Sequence, residues 1–120
     1  MSKIMIVDDE IEICEFLKEF FEDRDFEVAI SSSGEEALER IEQENPTILL
    51  LDVTMPGIDG IEVLREVKER YPYMKVIMVT AVESTERIEE AFRLGADNYI
   101  TKPLSLEYLE RDVRTKIAKL

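Results

Sequence analysis

Histidine and tryptophan are absent from the 120 residues, and cysteine occurs once, as Cys14. Without histidine, and with one thiol, a zinc site of the usual ligand set is excluded. A lone cysteine cannot form an internal disulfide and fits a reducing cytosol. Basic residues are scarce: 15 Lys and Arg stand against 28 Asp and Glu, a net charge of −13. A chain this acidic opposes nonspecific binding to DNA, RNA or anionic membranes. No apolar run approaches the length of a membrane span. The start, Met1-Ser2-Lys3 running directly into Ile4-Met5-Ile6-Val7, lacks a signal-peptide layout. Side-chain amides are confined to Gln43, Asn45 and Asn98, a bias resembling thermophile usage.

What is present is hydrophobic patterning, 45% apolar residues with regular periodicity, in a chain long enough for one domain, 1–120. Ile48, Leu49, Leu50 and Leu51 run without a polar face, as in a strand covered on both sides. The run ends on Asp52, and Pro56-Gly57 then forces a turn. A carboxylate is thereby delivered to the end of a buried strand, where open α/β sheets bind their ligands. Taken alone, Asp52 reads equally well as a turn residue bonding loop amides.

Along the chain, Lys3–Val7 is a short apolar strand stopping at Asp8-Asp9-Glu10. Ile13, Leu17, Phe20 and Phe21 predict an amphipathic helix over 11–24. A strand over 26–30 follows, and then Ser33 with Glu36 as a capping box opening a helix through Ala37, Leu38 and Ile41. That helix stops before Asn45-Pro46. After the strand Ile48–Asp52, Ile61, Leu64 and Val67 mark a third helix ending near Tyr71-Pro72. Residues 76–79 form another apolar strand, closed by Thr80-Ala81. Ser84 caps a helix carrying Ile88, Ala91 and Phe92, stopped by Gly95. The fifth strand, 97–101, ends at Lys102-Pro103, and Ser105 caps a last helix with Leu109, Val113 and Ile117 inward. Alternating strands and helices predict a doubly wound parallel sheet with right-handed crossovers. The flavodoxin-like (βα)5 order 2-1-3-4-5 puts the most apolar strands in the middle, with the switch point between strands one and three.

In such a sheet Asp8, Asp9, Asp52, Thr80 and Lys102 all follow strands and share one edge. Packed carboxylates repel unless protons or a cation neutralise them. Oxygen ligands without His or Cys point to Mg2+, with Mn2+ as a substitute. A hydroxyl and a lysine beside them suit a phosphoryl group, and Asp is a known nucleophile forming aspartyl-phosphate. The bland alternatives are helix-start carboxylates, a buried hydroxyl and an ordinary ion pair.

Ile6-Val7-Asp8-Asp9-Glu10, then Leu50-Leu51-Asp52-Val53-Thr54-Met55-Pro56-Gly57-Ile58-Asp59-Gly60, Val79-Thr80-Ala81 and Lys102-Pro103 together resemble the receiver domain of bacterial response regulators, the CheY-like family. The resemblance spans essentially the whole chain. It implies a switch or phosphorelay intermediate of a two-component system, not a turnover enzyme, working in the cytoplasm. Asp52 would take a phosphoryl group from a sensor histidine kinase or histidine phosphotransfer protein. Asp9, Asp52 and the Thr54 backbone carbonyl would bind Mg2+ directly, Asp8 through a water. Thr80, the Ala81 N–H and Lys102 would hold the phosphoryl oxygens, with the Lys102–Pro103 peptide cis. Tyr99 would be the aromatic switch residue, reading equally well as a half-buried edge tyrosine. Thr54 and Val82 would tune dephosphorylation, the apolar Val82 favouring a long-lived phosphoryl state. A downstream protein would bind the face of helix 4, strand 5 and helix 5, the chain being a monomer or a phosphorylation-dependent dimer. The chain ends soon after the fifth helix, which implies either the single-domain form or a receiver belonging to a longer regulator.

Two other protein classes place similar residues at strand ends. An Asp-nucleophile, Mg2+-dependent phosphohydrolase carries a second Asp two residues after the nucleophile, where this chain has Thr54. A flavin or nucleotide module would need a phosphate loop after strand one, where Asp8-Asp9-Glu10 would repel it.

Overall fold

The side chains of Ile48–Asp52 alternate between two layers, and the rest of the molecule is arranged around that alternation. In the computed structural model, which describes residues 2–81 and 85–120, this segment is β3 and is buried throughout. Its neighbours are β1 (Lys3–Val7) and β4 (Lys75–Thr80), with β2 (Glu27–Ser31) and β5 (Asn98–Thr101) at the edges. All pairs are parallel, in the order β2-β1-β3-β4-β5 expected from the apolar content of the strands. The helices are α1 (Ile11–Glu22), α2 (Gly34–Glu44), α3 (Gly60–Arg70), α4 (Thr85–Arg93) and α5. The last is continuous but not uniform, running through Leu106–Tyr108, a π-helical turn Leu109–Val113, and Arg114–Ala118.

Leu49 and Leu51, with Met5, Val7 and Met78, pack against Ile41 of α2, Leu64 and Val67 of α3 and Ala91 of α4. Leu50, with Ile4, Ile6, Ile77 and Val79, faces Leu17 and Phe21 of α1 and Leu109 and Val113 of α5. Both faces of the sheet are thus dry, which is why the central strands have no polar alternation. Truncating a fully buried leucine such as Leu50 to alanine typically costs about 2–5 kcal/mol.

The local signals explain most boundaries. Ser33 accepts from the Glu36 N–H at 3.1 Å, while the Glu36 carboxylate reaches back to the Ser32 N–H. Asn45 ends α2 in the left-handed conformation. Helix α1 closes at Glu22, short of 24, because Asp25 takes a positive φ of 68° in the turn to β2. β5 starts at Asn98 because the carboxylate of Asp97 turns aside to accept from the Val76 N–H and pair with Lys68. Gly60, at the start of α3, is required by close approach: a Cβ there would lie 2.1 Å from the Asp52 carbonyl oxygen. The expected capping role of Ser84 and the tuning role of Val82 fall outside the described residues.

In α5 the expected apolar stripe is present, with Leu109 and Val113 fully buried and Ile117 half-buried against them. The stripe recurs every fourth residue, slower than the 3.6 of an α-helix. The wider π turn absorbs that drift, so the residues stay on one face.

Candidate functional site

The carboxyl ends of β1, β3, β4 and β5 meet at one edge, and their parallel register brings Asp8, Asp52, Thr80 and Lys102 there. Asp8, Asp52 and Thr80 are 3%, 5% and 4% exposed. The Asp8 N–H still bonds the Ser31 carbonyl, and its Oδ1 accepts from the Glu10 N–H at 2.9 Å, fixing the carboxylate over the start of α1. The two oxygens of Asp52 have different partners. Its Oδ1 accepts from the Thr54 N–H at 3.3 Å, the turn role, while Oδ2 lies 3.3 Å from Lys102 Nζ. The Lys102 N–H bonds the Thr80 carbonyl at 2.8 Å, and the Lys102–Pro103 peptide is cis.

Lys102 Nζ sits at the centre, 3.1 Å from Asp8 Oδ2, 2.9 Å from Glu10 Oε1 and 3.3 Å from Asp52 Oδ2. Oxygens of Asp8, Glu10 and Asp52 lie within 4.8 Å of one another. Glu10 is the residue sequence reasoning missed here; its one signal was its place directly after Asp8-Asp9. Asp9 is instead exposed, as are Thr54 and Ala81. Tyr99 is half-buried on β5, away from the carboxylates.

One ammonium does not balance the carboxylates around it, and the acid–base properties follow. Burial, then the charge of Asp8, raises the Asp52 carboxyl from 3.8 to about 6, with Lys102 only partly opposing. For Lys102 burial alone would lower the ammonium, but its bonds to Glu10 and Asp8 and the charge of Asp52 hold it above the ordinary lysine range. Because the folded pKa of Asp52 exceeds the unfolded one, its contribution to stability is complete below about pH 4 and is lost as pH rises through about 6. The charged form therefore costs the metal-free protein on the order of 2–3 kcal/mol at neutral pH. Asp52→Asn is expected to raise the urea midpoint at pH 7.5 in EDTA and to leave it nearly unchanged at pH 4. Equal midpoints at both pH values would show that Asp52 is not destabilised by ionisation.

Cys14 lies directly behind the site, fully buried, its Sγ–H donating to the Asp8 carbonyl at 3.3 Å. Burial first, and then the charge of Asp8, pushes its thiol from 9.0 up to about 11. Iodoacetamide is expected to leave the native protein unmodified over hours and to label it stoichiometrically in denaturant. Native labelling at the denatured rate would mean that α1 opens readily.

Beside the cluster is an open groove of about 500 Å³ between α1 and the start of α5, lined by Ile13, Phe16, Ala81, Pro103 and Leu104. Glu10, Glu12 and Lys102 complete its otherwise apolar lining.

A sequence model described as "Response regulator receiver domain" matches residues 4–114. The chain belongs to that family. It is similar to a CheY-like receiver domain protein from Methanospirillum hungatei JF-1, with 34% identity and a TM-score of 0.90 over 99% of this chain and 95% of that one. The receiver domain of the Francisella response regulator 1452 is 31% identical, with a TM-score of 0.85 over 99% and 98%. The Vibrio cholerae chemotaxis protein CheY4 is 28% identical, with a TM-score of 0.88 over 96% and 98%. The receiver fold therefore carries an acidic cluster compatible with Mg2+ and phosphorylation. Receiver domains are signalling switches more than enzymes of the usual kind. Among the described residues no helix is long and apolar enough to cross a membrane.

Proposed function

We propose that this receiver accepts a phosphoryl group on Asp52 from a phosphohistidine, and serves as a switch or relay intermediate in two-component signalling in the cytoplasm. The observation that carries this reading is the burial of Asp52 at the end of β3 with one oxygen 3.3 Å from Lys102 Nζ. The histidine N–P bond breaks as a carboxylate oxygen of Asp52 bonds to phosphorus, and the electron pair leaves with the imidazole. At pH 7.5 a carboxyl with a pKa of about 6 is mostly ionised, so it is the nucleophilic form that meets the donor.

The donor set fits a hard divalent cation: oxygens of Asp8, Glu10 and Asp52 within 4.8 Å, carrying more negative charge than Lys102 returns. Asp9, Asp52 and the Thr54 carbonyl would hold Mg2+, with Mn2+ as a substitute and Asp8 acting through water. When bound, Mg2+ supplies positive charge to the oxygens gathered there. Lys102 exchanges its Asp52 contact for a phosphoryl oxygen, and Thr80 with the Ala81 N–H binds others. The groove along α1 suits the helix of a kinase or phosphotransfer protein that presents its histidine. A downstream protein reads α4, β5 and α5, the receiver acting as a monomer or as a phosphorylation-dependent dimer.

Incubation with Mg2+ and acetyl phosphate, followed by intact mass, is the test. One phosphoryl adduct per chain, lost in EDTA, is expected. Multiple turnover of small phosphate esters without an adduct would instead indicate a phosphohydrolase.

A further inference from the structure

Lys102 has no hydrogen-bond donor to spare. Its ammonium carries three N–H groups, and three carboxylate oxygens stand round it, Asp8 at 3.1 Å, Glu10 at 2.9 Å and Asp52 at 3.3 Å. The three partners are not alike. Asp8 and Asp52 are buried, and each spends its other oxygen on a backbone N–H, of Glu10 and of Thr54. Glu10 makes the shortest contact, has the most exposed side chain, and also lines the groove between α1 and the start of α5. It belongs to the cluster and to the groove at once.

That double position matters when a phosphoryl group arrives. In the reading above, on which this inference rests, an oxygen of that group replaces Asp52 on the Lys102 ammonium. Oxygens of Asp52 and Glu10 now lie within 4.8 Å of each other. A phosphoryl oxygen in the place of Asp52 stands as close to Glu10. The same reading gives Asp8, Asp9 and Asp52 to the metal, whose charge offsets theirs. Glu10 is outside that set and keeps its charge beside the incoming group. Two like charges at this separation oppose each other by about four-fold in an equilibrium, even at the dielectric of water.

We propose that Glu10 selects the phosphodonor: its carboxylate opposes free phosphates, and a lysine or arginine beside the histidine of a protein donor takes it up. The donor is then a helix with an apolar face for Ile13, Phe16 and Leu104 and a cation that reaches Glu10. Pairing that cation with Glu10 removes the opposing charge and gives Lys102 a second N–H for the phosphoryl oxygens. Glu12 lines the same groove and adds to its negative charge, but it has no ion pair with Lys102. Selection therefore falls to Glu10, through charge at the site, and not to the acidity of the face as a whole.

The experiment uses the full chain at saturating Mg2+ and two small donors of different charge, with adduct formation followed by intact mass over time. Acetyl phosphate carries two negative charges at pH 7.5, whereas phosphoramidate carries its own ammonium and one net negative charge. Transfer to Asp52 breaks the P–O bond of the first, releasing acetate, or the P–N bond of the second, releasing ammonia. Glu10→Gln, nearly isosteric and uncharged, is expected to raise the ratio of the acetyl phosphate rate to the phosphoramidate rate about four-fold. Effects on Mg2+ or on Asp52 itself are common to both donors and cancel in that ratio. Glu12→Gln should change it by no more than about two-fold. A phosphohistidine peptide with a lysine adjacent to its histidine should outpace its glutamine counterpart about four-fold in the wild type, and that preference should vanish in Glu10→Gln. An unchanged donor ratio in Glu10→Gln, the full ratio change in Glu12→Gln, or a lysine preference that survives Glu10→Gln would overturn the proposal while Asp52 remains the acceptor. No adduct from any donor in the wild type would overturn the phosphoryl reading, and this proposal with it.

Discussion

Replacing Asp52 by asparagine is expected to abolish the phosphoryl adduct completely, whether the donor is acetyl phosphate or a histidine kinase. The amide has the size of the carboxylate and keeps the Thr54 N–H as a partner, but it has no ionised oxygen to attack phosphorus. The fold should survive, and at neutral pH without metal it should gain stability, because the charge that burial and Asp8 disfavour is gone. Asp8 and Glu10 lie close enough to compete as acceptors, their oxygens within 4.8 Å of those of Asp52. Asp8, however, is 3% exposed, spends one oxygen on the Glu10 N–H, and presents the other to Lys102. Peptide mapping should therefore find a single labelled residue in the wild type and none in the variant. Label on Asp8, Asp9 or a hydroxyl would refute the assignment. Lys102→Ala, in contrast, removes a phosphoryl partner and not the nucleophile, so reduced phosphorylation with a blunted structural response is expected.

The second large effect concerns the metal. Asp9→Ala is expected to eliminate Mg2+ binding at physiological concentrations, a loss of at least about ten-fold in affinity. Glu10→Ala should change it little. The two variants separate the arrangement seen here from the ligand set proposed for the bound metal. In this structure Glu10 fills one side of the cluster, its Oε1 2.9 Å from Lys102, while Asp9 is exposed beside it. Glu10 carries 59% of its side chain in solvent and reaches the site only by pairing with that ammonium. A divalent ion needs short, firmly placed carboxylates, and Asp9 adjoins buried Asp8 on the same strand end. Calorimetric titration decides it: undiminished affinity in Asp9→Ala would transfer the ligand role to Glu10.

How much of this was legible beforehand depends on what kind of interaction sets each feature. β1 and β3 are readable to the residue, because unbroken apolar runs end abruptly on carboxylates. The strand order followed from the same runs, and the cluster from asking which polar residues come directly after strands. Glu10 was not legible, since its side chain is drawn back over the site by Lys102, 92 positions away. The 3.1 Å ion pair between Arg87 and Asp59 was hidden for the same reason: two surface-type residues on different helices carry no periodic signature. Nor was the π turn visible, because Leu109, Val113 and Ile117 fit an α-helical stripe nearly as well.

That turn also determines where the chain tolerates a change in length. A π turn holds one residue more than the α-helix around it needs. Losing a residue from Leu109–Val113 would convert it to ordinary helix and leave both flanks facing as they do now. Losing one from Arg114–Ala118 would swing everything beyond it by about 100°. Lys116, whose Nζ donates to the Tyr99 carbonyl at 2.8 Å, would then leave it and Ile117 would leave the core, so the C-terminal helix has a single place where a deletion is silent.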